Sequence, residues 1–270
     1  MNELFDIKNK VIAITGSTGV LAGEVARYLA KQGAKIVFMG RSQEKLALAM
    51  AELENKDEHL ACVCDVLDRP ALEKARDAIM QKYGKLDVLI NGAGGNMSGA
   101  TIPPDKTFFD LDISQWSDVL KLNLQGTVLP TMVFGEIFKN QKKGCIVNFS
   151  SMTADAAITR VLGYSNAKAG VNNFTRWLAV EFAQKFGEEI RVNAIAPGFF
   201  ISEQNRALLT NPDGSFTQRG QTVINKTPFR RFGKADEING AIHYLISDAS
   251  KFVTGTVLAV DGGFSCFSGV

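Results

Sequence analysis

Residues 11–23 read VIAITGSTGVLAG, in which an apolar, β-branched run passes without a spacer into a turn that holds three glycines. Glycine permits a tight turn and a close approach of the backbone to a pyrophosphate, and the N-terminus of a following helix offers unpaired N–H groups. A purely structural turn is the alternative for three glycines taken alone. Because this is the first strand-to-helix turn of the chain, it predicts a dinucleotide site. The residues expected at the phosphates are Gly16, Ser17, Thr18, Gly19, Val20 and Leu21.

The rest of the chain repeats this alternation of strand and helix. Further apolar runs predict strands at residues 35–39, 61–64, 87–91, 145–149, 190–196 and 256–260. Helical patterns cover residues 23–32, 42–55, 68–83, 114–140, 164–186 and 234–247. This order predicts an α/β fold, a doubly wound parallel sheet of seven strands with helices on both faces. No linker interrupts it, so we expect one catalytic domain over residues 1–270.

Charge and composition exclude several classes of function. The 270 residues include 30 Lys and Arg against 28 Asp and Glu, a net charge of +2, so neither nucleic acid nor an anionic membrane is an expected partner. No apolar run approaches the ~18 residues of a membrane span. With four cysteines, two histidines and no signal-like N-terminus, we expect a cytoplasmic protein without a metal site.

Two long connections, at residues 96–113 and 199–232, break the regular alternation. Both follow the carboxyl ends of predicted strands, where doubly wound folds bind their ligands. We therefore expect both to act as substrate loops, and insertions without a binding role are the alternative.

The end of the second predicted strand bears on the choice of dinucleotide. An acidic residue there would bind the ribose hydroxyls of NAD, but the chain reads Met39-Gly40-Arg41-Ser42. Arg41 and Ser42 can instead bind the 2′-phosphate of NADP, so NADP is favoured and NAD stays open; a solvated Arg41 is the alternative. Further contacts with the cofactor are expected from Asp65, Val66, Asn91, Gly92, Ala93 and Gly94. Asp65 can equally cap a helix.

A second polar set follows the fifth predicted strand. Tyr164 and Lys168 are spaced i, i+4 and so share one face of a helix. A cation about 4 Å from the phenol would favour its ionised form by roughly 4 kcal/mol before desolvation, so we expect the Tyr164 pKa to fall from about 10 toward neutrality. Such a phenol can exchange a proton with an alcohol or a carbonyl oxygen.

Ser151 and Asn123 complete this polar set. Ser151 would hydrogen-bond the reacting oxygen, and Asn123 can hold a water that links Lys168 to solvent. An exposed Tyr–Lys pair, a strand-end cap and a buried polar group are the structural alternatives for these residues taken singly. Since none of them carries hydride, the set has a purpose only beside a nicotinamide.

In combination, these motifs make the sequence similar to the short-chain dehydrogenases/reductases over essentially its whole length. The matching segments are the turn at Thr15, Asp65, NGAG at 91–94, Asn123, Ser151, YSNAK at 164–168, Pro197-Gly198 and Asp261-Gly262-Gly263. The resemblance implies a Rossmann fold, an oxidoreductase acting on CH–OH groups, a homotetramer, and a catalytic set of Ser151, Tyr164, Lys168 and Asn123. It also implies that Pro197, Gly198, Phe199 and Ser202 lie near the nicotinamide.

One segment departs from the family pattern. The family turn usually reads TGxxxGxG, and Val20 and Ala22 stand here where glycines are usual. The backbone N–H groups remain, but Val20 and Ala22 place side chains at two positions where glycine would let the backbone approach the phosphate closely.

A narrower resemblance lies mainly in the two loops. The segments NGAGGN at 91, FFDLD at 108, QNR at 204, NPDGS at 211, TPFRRFG at 227 and the terminal SGV resemble short-chain enzymes described as D-mannonate oxidoreductases or fructuronate reductases. This resemblance implies D-fructuronate and D-mannonate as the ketone and the alcohol. Another sugar-acid or polyol dehydrogenase such as gluconate 5-dehydrogenase, a 3-oxoacyl reductase and an inactive dinucleotide-binding regulator remain alternatives.

A sugar acid needs a cation for its carboxylate and polar groups for its hydroxyls. Arg160 and Arg206 are the candidates for the carboxylate. Asn96, Gln204 and Asn205 are the candidates for the hydroxyls, with Ser151 on the reacting oxygen. A solvated loop residue is the alternative for each loop candidate.

Overall fold

The structure, a computed structural model, describes residues 3–202 and 205–269. Its seven strands form one parallel sheet in the order β3-β2-β1-β4-β5-β6-β7. The strands are β1 Val11–Thr15, β2 Lys35–Gly40, β3 Leu60–Val63, β4 Val88–Asn91, β5 Gly144–Phe149, β6 Ile190–Pro197 and β7 Val257–Val260. This arrangement confirms the predicted doubly wound sheet, and every strand boundary lies within one residue of its predicted position.

The central strands are buried on both faces because helices cover the sheet on each side. In β1, Ile12 and Ile14 belong to one apolar core, whereas Val11 and Ala13 belong to the other. This alternation follows from the two-residue period of a strand. The helices are α1 Val20–Lys31, α2 Gln43–Ala51, α3 Arg69–Tyr83, α4 Ile113–Leu120, α5 Gly126–Gln141, α6 Leu162–Phe186, α7 Arg206–Leu209, α8 Gln218–Lys226 and α9 Asn239–Ile246.

Several predicted helices have different boundaries. Helix α2 ends at Ala51 rather than at residue 55, and α9 begins at Asn239 after a 3₁₀ turn, Ala235–Ile238, rather than at residue 234. Helix α1 begins at Val20 rather than at Gly23, and Gly23 N already donates to Gly19 O at 2.8 Å. The single helix predicted at residues 114–140 is divided into α4 and α5 by a π-helical turn, Lys121–Gln125. Such turns insert an extra residue into the helical repeat and are frequent at functional sites.

The second long loop contains helices that the sequence analysis did not predict. Thr217 Oγ1 accepts from Gly220 N at 3.0 Å and caps the N-terminus of α8. Val223 and Ile224 of α8 pack with Leu209 and Phe232 in a small core of their own. A capping threonine before this apolar pair is a signal from which α8 could have been predicted.

Within the described residues, no helix combines the length and the apolarity needed to cross a bilayer.

Candidate active site

The turn after β1 packs closely against the end of β4 and leaves the start of α1 uncapped. Gly16 has φ +66°, and a Cβ at this residue would lie 2.7 Å from Ala93 Cα. Gly92 N and Ala93 N both donate to Thr15 Oγ1 at 3.1 Å, which fixes the end of β4 against the turn. Gly19 precedes α1 and no side chain caps this helix. The first N–H groups of α1 therefore remain available to an anion, and the turn fits the pyrophosphate of a dinucleotide.

Ala22, which replaces a usual glycine, lies against Gly92. A Cβ built on Gly92 would lie 2.8 Å from Ala22 Cβ and 2.9 Å from Thr15 O. The close packing of α1 on the end of β4 therefore has room for one Cβ, and Ala22 supplies it. Alanine in place of the usual glycine at residue 22 still allows α1 to pack closely on the sheet, because the facing residue, Gly92, has no side chain.

The residues after β2 leave a guanidinium free. Arg41 is exposed and makes no hydrogen bond or ion pair within residues 3–202 and 205–269. Ser42 Oγ accepts from Lys45 N at 3.3 Å as the cap of α2, so its hydroxyl proton can still be donated. Asp65 Oδ1 accepts from Leu67 N at 2.9 Å, and the cap of α3 is Asp68 instead.

Two expected cofactor residues turn their side chains into the protein. Asn91 is buried, and its Nδ2 donates to Thr131 Oγ1 and to Asn148 Oδ1, both at 2.9 Å. Val66 is also buried, and its Cγ2 would lie 2.9 Å from a Cβ on Gly126. The Asn91 side chain thus links β4 to β5 and to α5 inside the protein, and its buried Oδ1 has no partner among the described residues.

Ser151, Tyr164 and Lys168 come together beyond the carboxyl end of β5. Ser151 caps a short turn, its Oγ accepting from Thr153 N at 3.2 Å, and its hydroxyl also bonds to Tyr164. Tyr164 lies in the first turn of α6. Lys168 lies one turn further, with Nζ 5.5 Å from the centre of the Tyr164 ring. The i, i+4 spacing therefore places both side chains on one face, as predicted.

The pKa of Tyr164 differs from the expectation. Burial raises the pKa of the phenol above 10, and the hydrogen bond with Ser151 opposes that rise only in part. The buried Lys168 Nζ lies over the ring and donates to Phe149 O at 2.7 Å. Burial lowers the pKa of Lys168 to about 8. Desolvation, which was left out of the Coulomb energy between Lys168 and the phenol, therefore has the larger effect on both pKa values. The phenol is protonated at neutral pH.

Asn123 lies in the π-helical turn and has no exposed surface. Its Nδ2 donates to Gly95 O at 2.7 Å and to Val119 O at 2.9 Å, and its Oδ1 accepts from Gly95 N at 3.0 Å. A Cβ on Gly94 would lie 2.6 Å from Asn123 Oδ1 and 3.3 Å from Lys168 Nζ. Asn123 therefore fixes the segment after β4 directly beside Lys168.

The residues after β6 lie beside the C-terminal segment. A Cβ on Gly198 would be 2.7 Å from Asp261 Cα, so Pro197-Gly198 packs directly on Asp261. The Phe199 ring stacks edge-on against Phe264 at 5.3 Å between ring centres. Ser202 N donates to Asn205 Oδ1 at 2.8 Å, and Asn205 Nδ2 donates to Phe200 O at 2.8 Å. Both ends of the Asn205 amide are thus occupied within the loop.

The other substrate candidates differ in what they offer. Asn96 Nδ2 donates to Thr101 Oγ1 at 3.0 Å, whereas its buried Oδ1 has no partner among the described residues. Arg160 is half-buried, and Arg206 is exposed on α7. Gln204 lies outside the described residues. Asn96 belongs to the first loop, Arg160 lies between Ser151 and Tyr164 along the chain, and Arg206 belongs to the second loop.

Two features of the site were not predicted. Arg219 of α8 donates from Nη1 to Thr159 Oγ1 and from Nη2 to Thr159 O, each at 3.2 Å. Ser150 Oγ donates to Asn172 Oδ1, and Asn172 Nδ2 donates to Asp155 Oδ2 at 3.2 Å. No local motif marks either contact, because the partners come from separate elements.

These features define an oxidoreductase that acts on alcohol and ketone groups. A family model described as enoyl-(acyl carrier protein) reductase matches residues 17–265. The chain belongs to the short-chain dehydrogenase/reductase family, as its motifs predicted.

Relatives of the chain extend over its full length. The uncharacterized oxidoreductase UxuB of Bacillus subtilis (strain 168) is 41% identical, with 98% of each chain covered. A structure from Haemophilus influenzae, a "putative D-Mannonate oxidoreductase" with bound NAD, is 40% identical, covers 98% of each chain and has a TM-score of 0.90. A gluconate 5-dehydrogenase from Burkholderia cenocepacia J2315, in complex with NADP and tartrate, is 29% identical, covers 98% of each chain and has a TM-score of 0.86.

Proposed function

We propose that this oxidoreductase interconverts D-fructuronate and D-mannonate with NADP or NAD. The observation that carries the proposal is the joint position of Ser151, Tyr164 and Lys168. Asn96, whose buried Oδ1 lacks a partner in the described part of the chain, directly follows the Gly94–Gly95 segment that Asn123 holds beside Lys168. A proton-transfer group suits a ketone, and a buried amide oxygen without a partner suits a hydroxyl donor of the substrate. The similarity to the Haemophilus influenzae structure supports the same substrate class.

A bound nicotinamide in its reduced form would supply the hydride, and residues of the chain position the ketone and supply the proton. Ser151 donates a hydrogen bond to the ketone oxygen and holds it against the phenol. Tyr164 gives its proton to that oxygen as the carbonyl carbon becomes tetrahedral. Lys168 lies behind the phenol, where its charge stabilises the phenolate left by proton transfer. Asn123 holds the Gly94–Gly95 backbone beside Lys168.

The raised pKa of Tyr164 favours the acid role. A phenol that burial keeps protonated is ready to donate in the direction of reduction. Oxidation of D-mannonate needs the phenolate, so this direction gains from alkaline pH.

The test is steady-state kinetics of the purified protein with D-fructuronate. We expect Tyr164→Phe to lower kcat by about 10²–10⁴-fold, because the proton donor is lost. The dissociation constant of the dinucleotide, measured by fluorescence, is expected to stay within a few-fold and serves as the control for folding. Wild-type turnover in the Tyr164→Phe protein would contradict the role of Tyr164.

Gluconate 5-dehydrogenase is the second candidate, supported by the Burkholderia cenocepacia structure. Its chemistry is the same, but the substrate differs in stereochemistry. A good rate with 5-ketogluconate and none with D-fructuronate would favour this candidate. Dinucleotide binding without turnover of any sugar acid would indicate a regulator instead.

For the cofactor we propose a preference for NADP, because Arg41 is exposed without a partner in the described ranges and no acid follows β2. Arg41→Ala is expected to weaken NADPH binding about tenfold or more, the loss of one charge-assisted contact, and to change NADH binding little. Ser42→Ala tests the second donor. Equal losses for both cofactors would exclude a phosphate contact of Arg41, as would a wild-type preference for NADH.

A further inference from the structure

A pair of arginines lies where the two substrate loops meet. Arg219, in the first turn of α8, reaches across to Thr159 and holds both its hydroxyl oxygen and its carbonyl at 3.2 Å. Two contacts from one planar guanidinium fix its orientation. Helix α8, which belongs to the 199–232 loop, is therefore tied to the segment that leads into α6 and Tyr164.

Arg160, the next residue after Thr159, is tied to the other loop. Its carbonyl accepts from Ile102 N at 3.0 Å. Its backbone has φ +77°, in the left-handed region that non-glycine residues rarely adopt. Strain of this kind persists where surrounding contacts enforce it, and it is common at binding sites. Both loops and the entrance to α6 thus converge on Thr159 and Arg160.

The two guanidiniums have no counter-charge in the described protein. Arg27, Arg69, Arg76 and Arg231 each form an ion pair with a carboxylate. Neither Arg160 nor Arg219 does so with any residue in the ranges 3–202 and 205–269. Burial first, and then the charge of Arg160, lower the pKa of Arg219. Arg219 is held on Thr159, the neighbour of Arg160, so the charges of these two half-buried cations repel each other and a bound anion relieves that repulsion.

We propose that Arg160 and Arg219 together bind the carboxylate of the substrate and so select an acid over a neutral sugar. This inference rests on the proposed function and names the residues that determine its substrate class. Arg219 is pre-oriented by Thr159, so little side-chain entropy is lost on binding. Arg160 lies four residues before Tyr164, in the connector that leads into α6, so the pair adjoins the segment that carries the phenol.

The experiment compares D-fructuronate with D-fructose, which has a hydroxymethyl group in place of the carboxylate. We expect Arg160→Gln and Arg219→Gln each to raise KM for D-fructuronate about tenfold or more, the effect of losing one charge-assisted hydrogen bond. The kcat for D-fructuronate and the kcat/KM for D-fructose are expected to change less than threefold. Arg219→Lys keeps the charge without the two-point geometry, so its KM is expected to be intermediate.

Two further variants sharpen the comparison. Arg206→Gln removes the rival candidate on α7, and its KM for D-fructuronate is expected to match the wild type. Arg69→Gln, which removes an exposed arginine of α3, is the control for a lost surface charge. A dominant effect in Arg206→Gln, unchanged KM in both pair variants, or a parallel loss with D-fructose would overturn the assignment.

A binding measurement separates this inference from the proposed function. Without any dinucleotide, D-mannonate and D-gluconate are expected to raise the melting temperature of the wild-type protein and not that of Arg219→Gln. If the wild type turns over no sugar acid but shows this arginine-dependent stabilisation, the proposed reaction fails and the carboxylate site stands. If it turns over D-fructuronate while the variants keep their KM and their stabilisation, the site fails and the reaction stands. Absence of both turnover and stabilisation rejects both.

Discussion

At the scale of single residues, burial of the charged Lys168 side chain lowers the stability of the folded protein. Only 3% of its surface is exposed, and burial lowers its pKa to about 8. The pKa of an unfolded lysine is about 10.4, so the unfolded chain binds more protons between these two values. Below about pH 8 the folded protein holds a desolvated ammonium and is less stable for it, and this penalty fades as pH rises toward 10.4.

We therefore expect Lys168→Met to increase the free energy of unfolding of the dinucleotide-free protein at pH 7 by up to about 3 kcal/mol. The gain is reduced by whatever is lost when Phe149 O no longer accepts from Nζ. Urea unfolding at pH 7, 8 and 9 measures the effect, and the difference from wild type should shrink as pH rises. A difference that does not vary with pH would contradict a desolvated ammonium at this residue.

Residue identities were more predictable than their electrostatics. The spacing of Tyr164 and Lys168 and the glycine-rich segment at residues 91–95 can be read directly from the sequence. The direction of the Tyr164 pKa was not, because desolvation depends on how deeply the side chains are buried in the assembled fold. The inward orientation of Asn91 was not predictable either, because its partners Thr131 and Asn148 come from other elements of the fold.

At the scale of elements, the contact between α1 and the end of β4 controls the phosphate turn. This contact has space for only one Cβ, which Ala22 provides because residue 92 is glycine. Regular elements here were predictable because periodicity and caps are local. The π-helical turn and helix α7 were not, because packing on neighbouring elements rather than local propensity determines them.

We expect Gly92→Ala to lower the free energy of unfolding by roughly 1–3 kcal/mol, the usual effect of overpacking, and to weaken dinucleotide binding. Adding Ala22→Gly should recover part of the loss, because the Cβ clash at 2.8 Å disappears while the approach to Thr15 O at 2.9 Å remains. Gly240→Ala, at an exposed helical glycine with no atom within 4 Å of the added Cβ, is the control and should stabilise slightly. Chemical denaturation and fluorescence titration measure both effects, and unaltered stability in Gly92→Ala would refute the packing account.

At the scale of the whole molecule, the strand order explains why a single edge carries all the chemistry. Parallel strands end on the same side, so the turns after β1, β4, β5 and β6 meet there. Alternating apolar runs made this architecture predictable from the chain. The partnership of Arg160 with Arg219 was not, because the two lie 59 residues apart by their numbering and no local pattern couples them.

The contacts of Thr159 and Arg160 with both long loops also bear on redesign. Ile102 docks on one of these neighbouring residues and Arg219 on the other. Grafting the first loop from a relative would strain the anchor that the second loop uses, and the reverse graft would do the same. Chimeric enzymes with altered selectivity should therefore exchange three segments as one cassette: both loops and the short connector before α6.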